Sequence, residues 1–368
     1  MEPLSNIPGG MRYYFGREAR VRRAVEDAVM SVFDGWGYEE IATPSVDYYA
    51  LFERGMGHDE AHRSFRFTDT DGRLLALRPD VTSSVARAAA TLFASAPRPL
   101  RFCYAASVFR QRPRSHAEWK RQGRQLGCEL IGAGGGEADA EVLAIAAEVL
   151  ERLRLRCRVT LNHVGVFNGV AEQLGLDEAE RERVRRLIDA RDAAGLEDVL
   201  ASHVNGRASS LARSLTRLAR GRDAIEEARA VLNNTRSLEA LDALEKTWGI
   251  VEALDLSDVF DLDLGDVSGL DYYTGLVFKI YAEGAGARVG SGGRYDELTA
   301  NFGRREPAVG FVLDLDAISE ILARAGDFET ENGTHTRPHS IEGANTAERL
   351  REARRLRAEG RRVSFESD

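Results

Sequence analysis

Apolar residues recur at helical spacing over residues 17–33, where Val21, Ala24, Val25, Ala28, Val29 and Val32 form one stripe. Gly35 and Gly37 end that helix, and an extended segment over 38–43 stops at Pro44. Two short strands over 64–69 and 73–77 follow, turned at Asp71-Gly72, and then a helix over about 80–93. Two longer strand-like runs, 100–110 and 124–131, are joined only by a polar loop rich in Arg and Lys. With no crossover helix between them, they predict an antiparallel hairpin. The triple glycine Gly134-Gly135-Gly136 leads into a helix over about 137–153 and matches no phosphate-loop spacing.

From 166 to 254 the pattern is helical throughout, in charged, Ala- and Leu-rich segments broken only by single glycines. Strand signals return at 260–264, 274–281 and 308–313, the last followed by a helix to about 325. Strands on both sides of a helical block predict one discontinuous α+β domain, 1–165 plus 255–325. Its antiparallel sheet is flanked by helices, and 166–254 is an all-helical insertion. After 326 the composition shifts to Thr, Gly, Glu, His and Pro, and reads as a linker. A thin apolar stripe (Ala347, Leu350, Ala353, Leu356) then marks a helix before Gly360, with a short strand at 363–365. About 20 residues cannot bury a core alone, so 326–368 reads as a linker and a short C-terminal remnant.

Charge changes the picture of partners. The 368 residues carry 50 basic and 59 acidic side chains, a net −9, whereas a protein that holds nucleic acid through its phosphates usually presents a basic surface. That balance argues against tRNA as the main partner. The three cysteines are odd in number and far apart, which fits neither a disulfide framework nor a zinc knuckle and suits a reducing, cytoplasmic setting. No run of about 18 apolar residues offers a membrane span. His58 and His62 have a metal-compatible spacing but no third ligand, and Cys103 and Cys128 read as small core residues. Neither a metal nor a cofactor is expected.

Chemistry concentrates in three places. Arg78-Pro79-Asp80-Val81-Thr82 sits at the mouth of a hairpin. Alternation puts Gln125, Gly127 and Glu129 on one face of their strand, which suits an ammonium or an imidazole N–H and equally suits a solvated face. Gly269-Leu270-Asp271-Tyr272-Tyr273-Thr274-Gly275 is followed by Gly292-Gly293-Arg294-Tyr295-Asp296.

Together these segments resemble histidyl-tRNA synthetase, a class II aminoacyl-tRNA synthetase, over roughly 8–325. Residues 38–52 resemble the family's first motif, through which class II folds dimerise. Asp80 falls where the family's acid holds the amino group of histidine. Arg110 falls at the second-motif arginine that contacts the ATP α-phosphate and the substrate carboxylate. Tyr272 and Tyr273 belong to the signature that forms the imidazole pocket. The resemblance thus implies a histidine-binding set of Asp80, Thr82, Arg110, Gln125, Glu129, Tyr272 and Tyr273.

The departures lie on the phosphate side. Active members carry an arginine where this chain has Ser268, and a third motif ending Gly-x-Glu-Arg where it has Asp314-Leu315-Asp316-Ala317. The second motif reads Phe109-Arg110-Gln111-Arg112, with Arg112 in place of a glutamate. Adenylate formation needs fixed cations, and losing one preorganised group costs about 10²–10³ in rate. No catalytic residue set is therefore expected. This pattern is similar to a paralogous group, the regulatory subunits of ATP phosphoribosyltransferase. The resemblance implies pairing with a short-form catalytic subunit, histidine as feedback effector, and a homodimer core within a hetero-oligomer. A divergent, truncated histidyl-tRNA synthetase or another aminoacyl-adenylate former is the alternative, and a tRNA-binding regulator the third reading.

Overall fold

The computed structural model describes residues 6–112, 120–200, 221–267, 273–326, 339–341 and 345–365. Its strands up to Gly326 are β1 (Glu39–Glu40), β2 (Val46–Tyr48), β3 (Arg66–Thr68), β4 (Leu74–Leu77), β5 (Leu100–Phe109), β6 (Gln122–Ile131), β7 (Cys157–His163), β8 (Phe260–Leu262), β9 (Leu276–Ala282), β10 (Gly290–Arg294) and β11 (Ala308–Asp314). Eight of them form one sheet in the order β1-β5-β6-β11-β10-β9-β7-β8. Neighbours from β5 to β7 are antiparallel, and only the two edge pairs, β1 with β5 and β7 with β8, are parallel.

The expected hairpin of two long strands is β5 and β6, whose ten-residue pairing runs from Leu100 opposite Ile131 to Phe109 opposite Gln122. Alternation along β5 decides which side faces what. Leu100, Phe102, Tyr104, Ala106 and Val108 point to one side and are buried with Val81 and with Val85, Ala86 and Ala89 of the helix Thr82–Ala90 that follows it. On the other side Phe311 meets Phe33 of the helix Gly16–Gly35 edge-to-face at 5.8 Å. The sheet is thus covered by helices on both faces, except where the cavity described below opens.

A separate three-stranded sheet, ordered β2-β4-β3, contains the Asp71-Gly72 turn, with Gly72 at φ +82° as a tight hairpin requires. The described part of the insertion is helical, as Val164–Leu174, Glu178–Asp189, Ala193–Leu200, Gly221–Val231 and Thr235–Ala253. The chain divides at Gly326. In the second unit, strands His339–Ser340 and Val363–Ser364 pair in parallel. Between them, the helix Thr346–Ala358 buries Ala353 and Leu356 against Ile341. His339 and Ser340 lie within the stretch expected to be a linker. A two-residue strand carries no alternation by which to read it. No described helix is long and apolar enough to cross a membrane.

Candidate functional site

Glu129 is the centre of a buried polar cluster beside the site. It lies mid-strand on β6, is 2% exposed, and is ringed by hydroxyl donors. Thr82 Oγ1 donates to its Oε1 at 2.7 Å, Tyr104 Oη donates to the same oxygen at 3.2 Å, and Tyr295 Oη donates to Oε2. Burial pushes the Glu129 carboxyl up to about 7, against the pull of those three hydrogen bonds. The expectation that Glu129 and Gln125 share a face holds, and the solvated alternative does not apply to Glu129. Gly310, its partner across β11, has no side chain, and a Cβ there would overlap Glu129 Oε2 and Cys128 O. Gly127 plays the same part beside Tyr104, whose Oη would stand 2.5 Å from an added Cβ.

Beside this cluster opens a cavity of about 300 Å³, which Thr82 lines and Glu129 does not. Asp80, Thr82, Arg110, Gln125, Tyr273 and Ala317 all line it, so the structure gathers residues 237 positions apart at one place. Asp80 also starts the helix Thr82–Ala90, its oxygens accepting from Ser83 N at 3.1 Å and Ser83 Oγ at 3.3 Å. The Tyr273 ring lies over Gly293, close enough that a Cβ there would come within 2.9 Å of the ring. Ser268 and Tyr272 lie outside the described residues.

The phosphate side is built differently. Ala317 contributes a methyl group to the wall, and Asp314 lines the cavity too. The Asp314 carboxylate caps the helix Leu315–Ala325, accepting from Asp316 N at 2.9 Å and Ala317 N at 3.0 Å. Asp316 is buried, ion-paired with Arg22, and accepts from the Arg124 amide at 3.2 Å. One turn on, Glu320 gathers cations around itself: Arg12 Nη1 at 2.8 Å, Lys120 Nζ at 2.9 Å and Arg324 Nη2 at 3.7 Å. Lys120, Glu320 and Arg324 all belong to the cavity wall. A carboxylate of the chain itself therefore sits among cations that an incoming phosphate would need.

Several contributors were not foreseen. Tyr295, marked in the sequence only as part of the Gly292–Asp296 run and not in the binding set, reaches Glu129 from 166 positions away, and the glycine-rich segment 284–290, with Arg288, forms a further wall. Only the run of Gly and Ala between strand signals marked that segment. Arg78, by contrast, is structural: it is buried and donates to Ser107 O at 2.7 Å and Thr43 O at 2.6 Å, tying the first-motif segment to β5. His58 Nδ1 lies 2.8 Å from Glu53, and no group of three metal-ligating side chains occurs among the described residues. Cys103 and Cys128 are buried cross-strand partners.

A mixed, mainly antiparallel sheet with this cavity on one face is the architecture of the class II synthetases. The family model described as histidyl-tRNA synthetase matches residues 10–318. The chain is 35% identical over 364 residues to the ATP phosphoribosyltransferase regulatory subunit of Moorella thermoacetica, covering 98% of this chain and 92% of that protein. It is 36% identical over 340 residues to that of Geobacter sulfurreducens, covering 89% and 76%. The crystal structure of an ATP phosphoribosyltransferase regulatory subunit/histidyl-tRNA synthetase from Bacillus halodurans C superposes with a TM-score of 0.88 at 30% identity, over 100% of this chain and 94% of that one. The chain belongs to the ATP phosphoribosyltransferase regulatory subunits, a histidyl-tRNA synthetase-like family of histidine biosynthesis whose role is regulatory rather than catalytic.

Proposed function

We propose that this chain binds a short-form ATP phosphoribosyltransferase catalytic subunit in the cytoplasm, is required for its activity, and transmits feedback inhibition by histidine. Histidine occupies the cavity beside Glu129, held by Asp80, Thr82, Arg110, Gln125, Glu129, Tyr272 and Tyr273. The observation that carries this reading is the asymmetry of the cavity. On its amino-acid side Asp80 and Thr82 line the wall, and Thr82 is bonded to the buried Glu129 behind it. Its phosphate side has Ala317 for an arginine and carboxylates at Asp314 and Glu320. A site whose buried polar groups pair with one ligand rejects analogues that leave them unpaired. Such a site holds an amino acid without activating it.

The first-motif residues Val46 and Tyr48 support a homodimer core. They lie with Phe67 on one face of the three-stranded sheet, paired to Leu77 and Leu75, and all three are exposed. An apolar face at that position suits a second copy of the chain.

Co-expression with a short catalytic subunit tests the reading. The expected result is a phosphoribosyltransferase activity that neither protein has alone, inhibited by histidine. An activity that does not rise on adding this chain overturns the partnership. An activated complex insensitive to histidine, with no histidine bound in calorimetry, overturns the sensor role.

A further inference from the structure

We propose that Arg288 is a second cation, besides Arg110, that holds the ligand's carboxylate, a residue outside the set that the family resemblance assigns. The inference rests on reading the cavity as the histidine site. Arg288 lies in the loop between β9 and β10 and lines both the main cavity and a small adjoining one.

Matching each cation of the wall with its partner leaves Arg121 and Arg288 without an anion among the described residues, and of these two only Arg288 also lines the small adjoining cavity. Lys120 and Arg324 face Glu320. Arg124 makes a two-pronged pair with Glu26, both bonds at 2.6 Å. Arg121 lies over the Phe65 ring at 4.6 Å. Arg110 is not free either, although its Nε is buried without a hydrogen bond. Asp266, the acid that lines the small cavity with Arg288, is taken up by Lys279 and by the Thr160 hydroxyl. Arg288 is half-buried and makes no hydrogen bond or ion pair with another described residue.

A half-buried guanidinium without a partner is costly to keep, and it gains most from an anion that arrives with the ligand. The planar fork of arginine matches a carboxylate through two parallel N–H···O bonds. An α-amino acid brings a carboxylate and an ammonium together. Asp80 lines this cavity and supplies an anion for the ammonium, and Arg288, in the same wall, supplies a cation with no anion of its own among the described residues.

The test is calorimetry on the full chain in complex with its catalytic subunit, comparing histidine with histamine, which keeps the imidazole and ammonium but lacks the carboxylate. Proteins compared are the unaltered chain, Arg288→Gln and Arg288→Lys, each first checked for an unchanged thermal midpoint. Arg288→Gln is expected to weaken histidine between about 10- and 100-fold and to leave histamine unchanged, with Arg288→Lys between the two. Equal losses for both ligands, or no loss for histidine, overturn the assignment. If histamine binding is below detection, the histidine affinity decides alone by the same criterion. An unaltered complex that binds no histidine overturns the site reading and this assignment together, whereas binding that Arg288→Gln leaves intact overturns only the assignment.

Discussion

Glu129 on β6 and Gly310 on β11 are cross-strand partners, and the carboxylate of one fills the space that the other leaves by having no side chain. A methyl group at 310 would displace a buried carboxylate held by Thr82, Tyr104 and Tyr295, and would also press on the Cys128 carbonyl. Overpacking of this kind costs about 1–3 kcal/mol. Gly310→Ala should therefore lower the free energy of unfolding by that amount, seen as a lower urea midpoint, and abolish histidine binding. An unchanged midpoint with intact binding would show that the carboxylate has room to move.

Glu129 also gives stability a specific pH dependence. Its folded-state carboxyl is pushed up to about 7, above the ordinary 4.5, chiefly by burial. Between those values the folded state binds a proton that the unfolded state has lost. This contribution is complete below about pH 4.5 and is lost as pH rises through 7, a change of order 1–3 kcal/mol. In Glu129→Gln the stability difference between pH 5 and pH 8 should shrink by that amount. Urea unfolding at both pH values measures it, and a difference identical to that of the unaltered protein would count against the raised carboxyl.

His163 runs the other way. Its Nδ1 accepts from the Gly165 amide at 3.0 Å and so caps the helix Val164–Leu174 as a neutral ring. Burial, and then the charges of Arg294 and Arg236, bring the imidazole down to about 4. An unfolded histidine takes its proton near 6.5, so this contribution is present above that value and is lost as pH falls toward 4. His163→Asn keeps an acceptor suited to a helix start but cannot titrate. Its thermal midpoint should match the unaltered protein near pH 7.5 and exceed it at pH 5. Equal midpoints at both pH values would refute the neutral cap.

The sequence exposed what alternation and spacing encode. Leu100, Phe102, Tyr104, Ala106 and Val108 mark one face of β5, and Gln125 with Glu129 mark one face of β6. It could not show that Glu129 is buried, because that depends on Tyr295 and Gly310, which arrive from far along the chain. β10 escaped for a different reason: Gly290, Ser291, Gly292 and Gly293 offer no alternating side chains, and such a run reads as a turn. Its glycines are needed because neighbouring groups close over them. A Cβ on Gly292 would sit 2.5 Å from Gly310 O and from the Phe278 ring. Arg288 was invisible because nothing in a loop's composition tells which charged residue will find no partner.

The phosphate side predicts the outcome of an attempted restoration. Each absent transition-state cation is worth about 10²–10³ in rate, so positions 268 and 317 together remove about 10⁴–10⁶. Histidine-dependent ATP–pyrophosphate exchange should be absent from the unaltered chain. It should stay absent in Ser268→Arg with Ala317→Arg, because a guanidinium at 317 would meet Asp314 at the helix start and Glu320 one turn on. Exchange above background in that double variant would show that these two carboxylates do not guard the site.

The exposed face of the three-stranded sheet makes the last prediction. Tyr48 and Phe67 flank Leu75, and Val46 lies opposite Leu77, so one side of a twisted sheet presents apolar groups where a charged or polar surface is usual for a monomer. Arg73 stacks on the Tyr48 ring at 5.3 Å and donates to its hydroxyl, which orients the tyrosine without covering it. Within a homodimer, a charge placed at Phe67 would be desolvated against a second apolar surface. Phe67→Glu should therefore convert a dimer to monomers at micromolar concentration. Because residue 67 is exposed, the monomer's own stability should change by less than about 0.5 kcal/mol. Sedimentation velocity on both proteins gives the answer directly. A variant that sediments as the same dimer would move the interface away from this face, and an unaltered chain that is already monomeric would remove the homodimer from the reading altogether.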